Sequence, residues 1–116
     1  MKILIDYKLN NWNEIIGHNR ANKYIGASKK KKEMEVIKYF LIGKPKITKY
    51  PIKLNCIWHI KNINSDLDNK SLKSVLDTMQ EIGILENDNM KHINEIAYKA
   101  VKDNKDYLEL EIIESE

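Results

Sequence analysis

A chain of 116 residues with 42% hydrophobic content has room for one core and not for two, so a single domain over residues 1–116 is expected. Its 20 basic and 17 acidic side chains leave a net charge of only +3, which excludes a protein that coats nucleic acid by bulk charge; any such site must come from local clustering. One cysteine excludes a disulfide framework. No stretch resembles a leader or reaches membrane-spanning length, so a soluble, cytoplasmic protein is expected.

Alternation of Ile3, Ile5 and Tyr7 with Lys2, Leu4 and Asp6 predicts a short first strand. From Leu9 to Ala27 the pattern lapses into an asparagine-rich stretch holding Trp12, His18, Arg20 and Tyr24, which reads as a long functional loop. Ser28 can cap a helix that runs to about Leu41, with Met34, Ile37, Phe40 and Leu41 inward and Gly43-Lys44-Pro45 as its stop. Ile52, Leu54, Cys56, Trp58 and Ile60 form a period-two series, while Lys53, Asn55, Ile57 and His59 face the other way. Cys56 within that run reads as core filler rather than as a nucleophile. Leu72, Val75, Leu76, Met79 and Ile82 fall at helical spacing from a start near Asn69, and Gly83 ends them. Two strand-like runs, Ile93–Val101 and Tyr107–Ile113, flank a polar turn and are expected to pair as a hairpin. The predicted order β-α-β-α-β-β defines an α/β (α+β) fold, a small mixed sheet with two main helices.

Chemistry concentrates at Asp66-Leu67-Asp68-Asn69, where a strand gives way to a helix. Two carboxylates two residues apart on extended backbone share a face and can share one hard cation. Asp88 follows Gly83, and an extended run can carry it back to the pair; a neighbouring subunit can supply it instead. Lys73, about one turn into the helix, sits where the dipole disfavours a cation unless it meets an anion such as a scissile phosphate. The plainer alternative is that one of Asp66, Asp68 or Asn69 merely caps the helix. An EF-hand is excluded because Lys70 and Ser71 fall where an oxygen ligand and a glycine are required. Zinc is disfavoured because His18, His59 and His92 make no ligand spacing with Cys56. Lys29–Lys32 place four positive charges near a helix start, a contact for a DNA backbone or else a solvated face. Arg20 is the sole arginine, which favours shape recognition over bidentate reading of bases.

These residues resemble the RusA family of Holliday junction resolvases, small endonucleases common in phages and prophages. The likeness rests on Asp66-Leu67-Asp68-Asn69, Lys73-Ser74-Val75-Leu76-Asp77, Gly83-Ile84-Leu85-Glu86-Asn87-Asp88, and the closing strand ending Leu108-Glu109-Leu110-Glu111-Ile112. Leu9-Asn10, Asn19-Arg20 and Ala27-Ser28 with Lys29–Lys32 look like the loop and first helix of phage members. The resemblance implies a homodimer in a bacterial cell that binds four-way DNA junctions and nicks two strands symmetrically with magnesium, for which manganese can substitute. It makes Asp66, Asp68 and Asp88 the metal-binding acids and Lys73 the catalytic lysine. Arg20, Lys29, Lys30, Lys31, Lys32 and Lys61 are then the expected DNA contacts. Where family members often carry an arginine-rich run before the acidic pair, Lys61 is the one firm positive charge here, so lower junction affinity is expected. The competing functional reading is a non-catalytic protein that binds DNA structure, with the aspartates structural.

Overall fold

The computed structural model describes all 116 residues. The chain runs β1 (Lys2–Ile5), α1 (Trp12–Ala21), α2 (Lys23–Leu41), β2 (Ile52–Ile60), a 3-10 turn (Leu67–Asn69), α3 (Lys73–Glu81), β3 (Ile93–Lys102) and β4 (Tyr107–Ile113). The expected mixed α/β class is what forms: a four-stranded sheet in the order β1-β4-β2-β3. β2 alternates as its sequence predicts, with Ile52, Leu54, Cys56, Trp58 and Ile60 all buried. These side chains meet Ile3 and Ile5 of β1, Leu108, Leu110 and Ile112 of β4, Ile37 and Leu41 of α2, and Val75 and Met79 of α3 in one core. The helices cover that face, while Leu4 (51% exposed) and Ile113 (41%) stand on the opposite, open face. No helix is long and apolar enough to cross a membrane.

Three expectations are corrected. The stretch Leu9–Ala27 is not a loop but the site of α1 and the first turn of α2. Its asparagines are helix caps: Asn11 forms a capping box with Glu14, and the Asn22 side chain accepts the Tyr24 N–H at 2.7 Å. α2 therefore starts at Lys23 rather than at Ser28, and buries Gly26, Glu33, Ile37 and Leu41. Gly26 permits the close approach of the two helices, since a Cβ there would stand 2.0 Å from Asn19 Oδ1. Next, β3 and β4 do not form a hairpin. Each pairs with β2 instead, β3 in parallel and β4 antiparallel. Burial favours this arrangement, because β2 has the longest buried apolar row, five residues, and stands inside the sheet between β4 and β3. Finally, the second predicted helix starts four residues later than Asn69, at Lys73. Asn69 is committed elsewhere, and the Ser71 hydroxyl accepts the Lys73 N–H at 3.1 Å.

The parallel pairing of β2 with β3 makes α3 a crossover. A crossover returns the chain to the end of the sheet at which the first strand began. This decides where the candidate residues lie.

Candidate functional site at the carboxyl end of β2

β2 delivers the chain to a turn in which Asp66 occupies the cap position and Asp68 lies inside the 3-10 turn Leu67–Asn69. The backbone around the pair is thus a tight turn rather than the extended strand expected. Both carboxylates are exposed. Asp66 makes no side-chain capping bond, and the cap position of α3 is Leu72. The capping alternative therefore fails for both helical ends. Asn69 does another job: its Oδ1 accepts the Asn13 N–H at 3.1 Å, pinning the turn to the first turn of α1. Leu67 packs against the core from within the same turn.

A hollow of about 350 Å³ opens beside Asp66, lined among others by Lys8, Lys61, Lys70 and Asp106. Asp106 is a carboxylate that sequence reading passed over, and it is engaged. It accepts the Lys61 N–H at 2.7 Å and lies 3.5 Å from Lys8. Lys70 leans 5.8 Å over the Trp58 ring and lines the same hollow.

Lys73 opens α3, the position where an uncompensated cation is least welcome. Asp77 answers it one turn on at 3.4 Å, and the same carboxylate takes Lys30 of α2 at 2.5 Å. A second hollow, about 360 Å³, lies where α1, α2 and α3 meet and contains Lys23, Lys29, Lys30 and Lys73. The lysine run is thereby divided. Lys29 and Lys30 line this hollow, Lys30 and Lys31 line a separate one with Met34 and Glu81, and Lys32 is exposed. Arg20 is exposed near the end of α1. Glu33, which no sequence pattern singled out, forms the floor: it is buried and accepts the Asn10 N–H at 2.8 Å, Asn10 Nδ2 at 3.2 Å and the Ser74 hydroxyl at 3.2 Å.

Asp88 is not with the others. It sits exposed between Asn87 and Asn89, whose side chain and backbone close a turn, ahead of β3. That turn belongs to the amino-terminal end of β2, where the Ile52 N–H donates to the His92 carbonyl and the Glu86 N–H donates to the Tyr50 hydroxyl. The nine residues of β2 separate the two ends by about 26 Å at ~3.3 Å per residue. The expected return of Asp88 to its partners along one chain does not occur, and no three His, Cys, Asp or Glu side chains of a single chain cluster in a way that could hold a metal. The crossover is the cause.

Cys56 is buried, and desolvation pushes its thiol up to about 12, so it is the inert core residue the alternation predicted. Neither family models nor curated proteins give a match to this chain.

Proposed function

We propose that this protein is a divalent-metal-dependent endonuclease of branched DNA that works as a two-fold dimer. Each site combines Asp66 and Asp68 of one protomer with Asp88 of its partner. The observation that carries this reading is the Asp66–Asp68 turn itself, exposed, free of a capping duty and flanked by lysines on both sides. Its donor set is all carboxylate oxygen, which suits a hard cation such as magnesium, or manganese in its place.

Dimer symmetry supports the third ligand. The open sheet face carries exposed Leu4 and Ile113 beside Asn55, Ile57 and Lys99. Two such faces related by a two-fold axis perpendicular to the strands would set the β2 strands antiparallel. The carboxyl end of one β2 then lies over the amino end of the other, the same exchange of ends that Asp88 requires. A four-way junction has an approximate two-fold of its own, so a pair of such sites suits paired symmetric nicks.

When bound, the metal would polarise the phosphodiester and lower the pKa of a water. The protein's residues do the rest. Asp66, Asp68 and the partner's Asp88 hold the cation. Lys73 directs its ammonium group at the charge that builds on the phosphate oxygens, with Asp77 fixing its rotamer. Asn69 keeps the turn registered on α1.

A nicking assay on a synthetic four-way junction, with magnesium and with chelator, tests the proposal. Paired nicks are expected with the metal only. Asp66→Asn and Asp68→Asn are each expected to lower cutting at least a hundredfold while junction binding without metal stays within about threefold. Cutting by either variant at the wild-type rate would refute the assignment. Metal-independent binding without any cutting would favour the non-catalytic junction binder.

A further inference from the structure

The hollow between α1, α2 and α3 has a charge balance that its own fold does not satisfy. Lys23, Lys29, Lys30 and Lys73 converge there with His18 and Asn19. The carboxylates within reach are Glu33, whose oxygens are turned to Asn10 and Ser74, and Asp77, which already meets both Lys30 and Lys73. Lys30 and Lys73 share the single charge of Asp77, and Lys23 leans 5.3 Å over the Tyr24 ring, so the recess keeps a positive excess that an entering anion relieves. Lys73 also stands at the first residue of α3, where the helix dipole disfavours a cation.

We propose that this hollow is a phosphodiester-binding cleft that grips the DNA backbone one or more phosphates away from the cut. The inference rests on the nuclease reading and adds to it a second, metal-free anchor. Asn11 lines the hollow beside Asp66 and Trp12 lines the lysine cleft, so the two recesses lie on either side of the same helix start. A strand held at the Asp66–Asp68 turn passes over the amino terminus of α1, adjacent to Lys73, and into the cleft. The lysines supply point charges without base reading, as a structure-specific enzyme requires. Lys30 is a positioning residue in this scheme: by sharing Asp77 with Lys73 it ties strand grip to the placement of the catalytic ammonium group.

The test uses Lys23→Gln/Lys29→Gln against Lys46→Gln/Lys49→Gln, two pairs with the same change in charge but only the first in the cleft. Binding of a four-way DNA junction is titrated in chelator over a range of salt. The cleft pair is expected to bind about tenfold more weakly, with a log–log salt slope shallower by about two, while the control pair stays within about twofold. Equal losses in both pairs, or none in either, would overturn the cleft. Tighter binding of a structured RNA than of the junction would overturn its assignment to DNA. Thermal melting within a few degrees of wild type confirms the fold, and Lys29→Gln alone replaces the double variant if it melts early. Selective weakening without nicking by wild type leaves the cleft standing and removes the nuclease; nicking with indiscriminate weakening does the reverse.

Discussion

His59 sits between two carboxylates, with Nδ1 3.0 Å from Asp103 Oδ2 and Nε2 2.6 Å from Glu109 Oε1, and its ring stacks on Tyr107 at 4.0 Å. Tyr107 completes the cluster by donating to Asp103 at 3.1 Å. The sequence offers no sign of this arrangement, because the partners of His59 are 44 and 50 residues away along the chain. Asp103 is held below its ordinary 3.8, chiefly by the Asn104 N–H and then by Tyr107 and His59. A carboxyl that binds its proton less tightly when folded contributes stability above its unfolded pKa and loses it as pH falls through the folded value. Asp103→Asn is therefore expected to be less stable than wild type near neutrality, and the gap should close as urea unfolding is repeated from about pH 6 down to about pH 3. A gap of constant size over that range would show that Asp103 does not carry it.

Elements were legible where burial imposes a period. The inner row of β2 and the Tyr107–Ile113 strand were readable to the residue, because one face of each meets the core and a register slip would turn that row to solvent. α1 was not, since it buries no residue and leaves no apolar stripe. Its signal was present in Asn11 with Glu14, a capping pair that a composition-based reading takes for loop chemistry. Glu33 joins three elements, tying α2 to the segment before α1 through Asn10 and to α3 through Ser74. Glu33→Ala strands those donors in a buried space, and is expected to lower unfolding stability by about 3 kcal/mol. Glu33→Gln, which keeps an acceptor, should cost about 1 kcal/mol. Denaturant titration decides, and a loss below about 0.5 kcal/mol for the alanine variant would contradict the role given to Glu33.

At the scale of the whole molecule, the acidic pair and Lys73 were visible in the sequence, but the place of Asp88 depended on strand pairing. Read as a hairpin, β3 and β4 leave α3 free to fold back; paired in parallel, β2 and β3 force a crossover and put Asp88 at the opposite end of β2, a strand about 26 Å long at ~3.3 Å per residue. Under the proposed function, the consequence is a catalytic unit that one chain cannot complete. Mixing two variants that the proposal makes inactive, Asp68→Asn and Asp88→Asn, measures this directly. In a heterodimer built from shared sites, one site gathers both lesions and the other is intact. Junction nicking should therefore return on mixing, to about a quarter of the wild-type rate once subunits exchange, from two proteins that do not cut alone. No recovery after demonstrated exchange would contradict the shared site, and with it the proposal that Asp66, Asp68 and the partner's Asp88 act on one phosphate.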